Sequence, residues 1–330
     1  MGYNERKILY SKIEQKRNSN LIVYITGDRR NWETQIHQEV LNFLINHLDI
    51  IKNDDKKISL FLYTRGGNTL AAWSLVNLLR QFCNELEVIV PSKAHSAGTL
   101  ICLGANSIVM TKQATLGPID PNVNTPLNPH IPGQPENITF PVSVEAIKGY
   151  IELVKSEFGV NKSADLASII SSLNNKIHPL VLGEVYRARA QIKMLARKLL
   201  NQQIKDEKKK KIIIDFLCSE SGSHDYTINR KEAKEDLGLN IEKPNDELYQ
   251  IIKNIFDDIQ NELELNSDFD PNSILGTSSN KPYQMKRALI ESIRGGSHYF
   301  ITEGNLSKIQ QGVNVLINDQ RIFEGWKYES

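Results

Sequence analysis

Along the first third of the chain, apolar positions follow two different spacings. Short runs rich in β-branched residues at 21–26, 58–63, 86–90 and 107–111 read as strands. Between them, Ile36, Val40, Leu44 and Leu48 recur at helical spacing within 32–51, and Leu75, Leu78 and Leu79 do so within 69–82. Residues 97–105 form a compact apolar stretch that predicts a buried helix. Strands alternating with helices in this way predict an α/β fold with a largely parallel sheet covered by helices.

The pattern then changes. Six prolines, at 118, 121, 126, 129, 132 and 135, precede Pro141 and predict an extended, irregular segment. Such a segment either lines a groove or serves as a plain surface connection. Beyond it the spacing is helical. Ser143 is placed to cap a helix running to about Phe158, where Gly159 stops it. Amphipathic helices follow at 164–174 and 180–201, and 212–218 reads as a helix or a buried strand. The run Asn229 to Glu232 has the logic of a capping box, and its helix ends at Gly238. A further helix is expected over 246–265, whereas the polar tail from Ser267 carries no clear period. The expected division is a core over 1–200 and a mainly helical extension over 201–330.

At 330 residues the chain can bury a large core, and its net charge of +1 offers no stripe for nucleic acid. The lysines at 208–211 read as a solvated helix end. Cys83, Cys102 and Cys218 are odd in number and lack metal-ligand spacing, which suits a reduced, cytoplasmic chain with buried thiols. The polar N-terminus lacks the apolar stretch of a signal peptide, and no run is long enough to span a bilayer. Peripheral membrane contact stays open. No cluster of ligands implies a metal or an organic cofactor.

The chemistry concentrates at two strand ends. Ser96-Ala97-Gly98 opens the apolar helix after the strand at 86–90, lifting a hydroxyl to a helix N-terminus. Thr64-Arg65-Gly66-Gly67-Asn68 ends the preceding strand with a turn that lets backbone N–H groups approach closely. A serine nucleophile needs such donors for the oxyanion that forms when it attacks a carbonyl. Each turn alone could be mere capping or turn chemistry. Their occurrence at successive strand ends of one sheet points to a site, because active sites of parallel sheets lie at carboxyl ends.

These two turns resemble the Clp-protease and crotonase superfamily, and within it the serine dehydrogenase proteinase group, related to signal peptide peptidase A. Leu116-Gly-Pro-Ile-Asp-Pro121, His178-Pro-Leu-Val-Leu-Gly183 with Arg187, and Ser223-His-Asp-Tyr-Thr-Ile228 with Glu232, Ala233, Gly238 and Leu239 extend the likeness across 21–239. Arg65 stands where that group usually has proline. The resemblance implies a spiral of β-β-α units, assembly into a homo-oligomer and a polypeptide substrate. It makes Ser96 the nucleophile and Gly66 and Ala97 the oxyanion donors. Asp120 and Pro121 fall near the place of the histidine in Clp-type proteases, and no histidine stands there.

The base must then come from elsewhere. Lys148, 52 residues after Ser96, matches the lysine of signal-peptide-peptidase relatives. A helix start disfavours an ammonium ion, which suits a lysine base. Its alternative is a solvent-facing helical residue. His178 is the rival base, or else a cap. His95 reads as a wall of the site or a core residue, Lys93 as a surface residue, and His224 and Asp225 have no assigned role. The expected function is a serine endopeptidase with a Ser-Lys dyad. Two rivals are a crotonase-type enzyme acting on a thioester and a non-catalytic oligomeric scaffold.

Overall fold

The computed structural model describes residues 2–51, 57–119, 122–133, 138–220, 225–311 and 314–329. The chain folds as two units. The first comprises 1–116 and 227–330, and the second is the intervening stretch 117–226. This division differs from the expected one, because residue 200 lies inside the second unit.

The first unit opens with α1 (Tyr3–Arg17), β1 (Asn20–Thr26), α2 (Val40–Leu48), β2 (Lys57–Tyr63) and α3 (Thr69–Phe82). It continues with β3 (Glu85–Val90), β4 (Lys93–Ala94), α4 (Ala97–Leu103), β5 (Ser107–Met110) and β6 (Thr115–Leu116). The second unit contains β7 (Asn122–Val123), β8 (Val142–Ser143), α5 (Val144–Ser156), α6 (Ser163–Asn174), α7 (Pro179–Leu200) and α8 (Glu207–Asp215). A π-helical turn over Phe216–Glu220 follows α8. The chain then returns to the first unit with β9 (Ile228–Asn229), α9 (Arg230–Glu235), β10 (Ile241–Glu242), α10 (Asp246–Glu262) and α11 (Pro271–Leu275). Three long strands close it: β11 (Asn280–Ser292), β12 (Gly296–Gln311) and β13 (Asn314–Glu329).

The large sheet has the order β10-β5-β3-β2-β1-β11-β12-β13. Pairing is parallel from β10 through β1 and antiparallel from β1 onward. Every residue of β1 is buried, as expected of a parallel strand covered on both faces. A small second sheet has the order β4-β6-β9. In β3-β4-α4 the chain leaves the large sheet, runs briefly in the small one and turns into a helix. This is the expected β-β-α unit, and it carries Ser96 at its last turn.

Two stretches differ from the sequence pattern. The helix expected over 32–51 begins only at Val40. Ile36, which fits the helical stripe, instead forms a parallel bridge with Gly67 and is fully buried. Thr34 holds this segment extended, because its hydroxyl accepts the Gly27 N–H at 2.8 Å. The tail beyond residue 279 is strand rather than helix. Its period is obscured by two register shifts, between Lys286 and Ala288 and between Glu303 and Gly304, that exchange inward and outward positions.

The tail is fastened to the parallel core by a buried ion cluster. Arg6 on α1 has no exposed surface. Its guanidinium donates to both oxygens of Glu291, at 3.1 and 2.6 Å, and to Asp258 and Glu262, each at 2.6 Å. The Tyr10 hydroxyl also donates to Glu291. Nearby, His47 on α2 bonds Ser292 at 2.8 Å and His298 at 3.0 Å. Burial, with His298 adjacent, pushes His47 down to about 3, so this contact between α2 and the β11–β12 hairpin is uncharged at neutral pH.

The second unit has its own small core of Val123, Val142, Val181 and Val185. Ser143 caps α5 as expected, accepting the Ala146 N–H at 3.1 Å. No residue of α6 is fully buried.

Two outcomes follow from the charged clusters. Arg6→Ala strands Glu291 in the interior and should lower stability by about 3–5 kcal/mol in a denaturant titration. Burial opposes ionisation of Glu87, but bonds from Arg17 outweigh it and hold the carboxyl below its ordinary range. Its contribution to stability is complete above the usual carboxylate range and is lost as pH falls through the depressed value. Arg17→Gln should therefore flatten the acid limb of a plot of stability against pH.

Candidate active site

Ser96 sits where β4 ends and α4 begins. Its backbone has φ 52° and ψ −112°, a conformation L-residues rarely adopt. The turn is closed by the Gly98 N–H, which donates to the His95 carbonyl at 2.8 Å, and by Leu100 N–H, which donates to Ser96 at 3.2 Å. The residue is half-buried. Its side chain does not cap α4, and it has no hydrogen-bond partner among the described residues. A strained turn that presents an uncommitted hydroxyl at a helix start is the geometry of a nucleophile.

The glycine turn lies against this serine. A Cβ on Gly66 would come within 2.8 Å of the Ser96 Cβ and 3.3 Å of the Ala97 nitrogen, so only glycine permits the approach. Gly66 and Gly67 have φ of +120° and +141°. The turn is pinned from one side by Ile36, whose N–H donates to the Gly66 carbonyl and whose carbonyl accepts the Asn68 N–H, both at 2.8 Å. From the other side, the Thr64 N–H donates to the Lys93 carbonyl and the Thr64 carbonyl accepts the His95 N–H, each at 3.1 Å. Asn68 then caps α3, accepting the Ala71 N–H at 2.9 Å.

The individual amides differ from the sequence expectation in one respect. The Gly66 N–H already donates to Thr64 Oγ1 at 3.0 Å and so is committed within the turn. The Gly67 and Ala97 amides have no hydrogen-bond partner among the described residues. The signal for this lay in the sequence as a threonine two residues before Gly66. A hydroxyl at that spacing accepts the backbone N–H two positions on.

The charged residues around the turn are paired. Arg65 is 54% exposed and bonds Glu33 at 3.2 Å, so its side chain points outward from the glycine turn. Lys93 is not a plain surface residue. Its ammonium pairs with Asp28, which also accepts the Tyr63 hydroxyl at 2.8 Å, and it lies over the Tyr63 ring. His95 bonds the Thr115 hydroxyl through Nε2 at 2.9 Å, which fits a residue of the site wall. Cys102 on α4 is fully buried, and burial raises its thiol well above the usual range, so it packs and does not react.

The candidate bases belong to the second unit. Lys148 lies on α5, 24% exposed, with Glu152 one turn on at 3.5 Å. His178 caps α7, accepting the Leu180 N–H on Nδ1 at 3.2 Å, which uses one ring nitrogen structurally. Asp120, Pro121, Ser223 and His224 fall outside the described residues.

Residues 3–132 match the family of ClpP-like SDH-type serine proteinases. Over 188 residues the chain is 32% identical to the uncharacterized protein MJ0137 of Methanocaldococcus jannaschii, covering 57% of this chain and 54% of that protein. Identity to MJ1495 of the same organism is 29% over 188 residues, covering 57% and 53%. The chain thus spans about half the length of these relatives. Among solved structures, the 1510-N membrane-bound stomatin-specific protease aligns with a TM-score of 0.39 and 18% identity, over 71% of this chain and 84% of that one. ClpP1 from Listeria monocytogenes aligns with a TM-score of 0.38 and 18% identity, over 73% and 99%. Among the described residues, no helix is long and apolar enough to cross a membrane.

The strain at Ser96 is measurable. Ser96→Gly should be about 1 kcal/mol more stable than Ser96→Ala in urea unfolding, because both lose the hydroxyl and only glycine relaxes the backbone. Equal stabilities would mean that the turn stores no strain.

Proposed function

We propose that this protein is a serine endopeptidase acting through an acyl-enzyme on Ser96. The observation that carries the reading is the uncommitted Ser96 hydroxyl at φ +52°, followed by the unpaired Ala97 amide, with the Gly66–Gly67 turn packed against Ser96 through Gly66. In this mechanism the Ser96 oxygen attacks the scissile carbonyl of a peptide. The carbonyl oxygen takes up negative charge and receives hydrogen bonds from the two amides. Collapse of the tetrahedral intermediate expels the amine and leaves an ester on Ser96, which water then hydrolyses. Loss of one such donor typically costs about 100- to 1000-fold in rate.

Gly67 takes the role that the sequence resemblance gave to Gly66, because the Gly66 N–H is spent on Thr64. Gly66 keeps a different and equally strict task, the close approach to Ser96. Lys148 as the general base rests on its match to the lysine of signal-peptide-peptidase relatives. It would accept the Ser96 proton while neutral and return it to the leaving amine. His178 is the weaker candidate, since a cap fixes its ring. An extended substrate would add alongside the glycine turn by backbone hydrogen bonding. Assembly into a homo-oligomer belongs to the same proposal, and the absence of any fully buried residue on α6 supports it.

The test is covalent labelling by a fluorophosphonate, read by intact-protein mass. Wild type and His178→Ala should take up one label. Ser96→Ala and Lys148→Ala should take up none. Labelling of Ser96→Ala at an undiminished rate would overturn the assignment of the nucleophile, and undiminished labelling of Lys148→Ala would remove the lysine from the mechanism.

A further inference from the structure

The Thr64 side chain touches both the glycine turn and the helix that follows Ser96. It is completely buried. Its hydroxyl accepts the Gly66 N–H at 3.0 Å and the Thr26 hydroxyl at 2.8 Å, and its own proton faces the Gly66 carbonyl at 3.3 Å. A hydroxyl has one donor and two acceptor positions, so every position is filled. Its methyl does something different. Cγ2 occupies the space where a Cβ on Gly98 would lie, 2.5 Å from that point. Gly98 is in the first turn of α4, two residues past Ser96. The Thr64 backbone adds to this, donating to the Lys93 carbonyl and accepting from the His95 N–H, each at 3.1 Å.

We infer that Thr64 is a positioning residue for the oxyanion site, with its hydroxyl and its methyl doing separate work. The hydroxyl consumes the Gly66 amide and fixes the rotation of that peptide. This leaves the next amide, Gly67, unpaired and held in place. The methyl sets how closely the first turn of α4, with the Ala97 amide, approaches the same turn. Thr64 does not touch the substrate and acts through Gly67 and Ala97. Serine would keep the first function and lose the second, and valine the reverse. Thr26 lies one step further out and supplies the hydroxyl that orients Thr64. The inference rests on the acyl-transfer reading of Ser96.

The experiment compares Thr64→Val and Thr64→Ser with wild type by the rate of fluorophosphonate labelling across reagent concentrations. Thr64→Val should lower the limiting labelling rate ~10- to 100-fold, a part of what loss of a whole donor costs, with the half-saturating concentration unchanged. Thr64→Ser should label within about 3-fold of wild type while melting at a lower temperature, because it keeps the hydroxyl and leaves a methyl-sized void. If Thr64→Val does not fold, Thr26→Val decides the matter, with an expected drop of about 3- to 10-fold in the limiting rate. A folded Thr64→Val that labels at the wild-type rate overturns the assignment, as does a Thr64→Ser as slow as Thr64→Val. A wild-type protein that takes up no label overturns the acyl-transfer reading, and the role of Thr64 falls with it.

Discussion

The contact between the Gly66 α-carbon and the Ser96 side chain is the constraint around which the site is built. The turns after β2 and β4 meet at a distance that leaves no room for a methyl group. Close approach demands glycine at 66, and glycine in turn allows the positive φ that the turn requires. The same crowding falls on Gly98, where Thr64 fills the space a side chain would need. Small residues at these positions are therefore fixed by neighbouring backbone rather than by local preference. Ser96 keeps its strained conformation because the structure on both sides over-determines it.

What surrounds the site is stiff. Parallel strands buried on both faces hold the turns at their carboxyl ends. Ile36 clamps the glycine turn from outside, and the Asp28, Lys93 and Tyr63 cluster ties three strand ends together. On the far side, Arg6 locks α1, α10 and β11 by charge. A buried guanidinium facing three carboxylates is tolerable only because nearly every polar atom finds a partner. Preorganised amides serve catalysis only if they need not move when charge develops, and this frame restricts their movement.

Much of the core was legible in the sequence, since β-branched runs and helical spacing reported strand and helix directly. The two turns of the candidate site were also legible as turns, because glycine pairs and Ser-Ala-Gly interrupt those periods at strand ends. Ile36 was misread because its spacing from Val40 satisfies a helix as well as an isolated bridge, and only the distant Gly67 decides between them. Which of the Gly66 and Gly67 amides is left unpaired could not be told from glycine content. The difference comes from the Thr64 hydroxyl, a side-chain bond that periodicity does not report. The long antiparallel strands escaped notice because bulges shift the alternation and because much of the ribbon is exposed. The relation of Lys148 to Ser96 depends on residues far apart in sequence, and local pattern carries no information about it.

The second unit enters and leaves the first at neighbouring points. Leu116, where the chain departs, pairs with Ile228, where it returns, and Thr115 pairs with Asn229. Adjacent antiparallel strands lie only about 5 Å apart, so the chain between Leu116 and Ile228, which contains the whole second unit, closes a loop whose ends already meet. Residues 117–226 are thus an inset module on a hairpin-like stem, and their length is nearly irrelevant to whether the stem can form. Such a junction lets loops within the inset change length without disturbing the turns that carry Ser96 and Gly67.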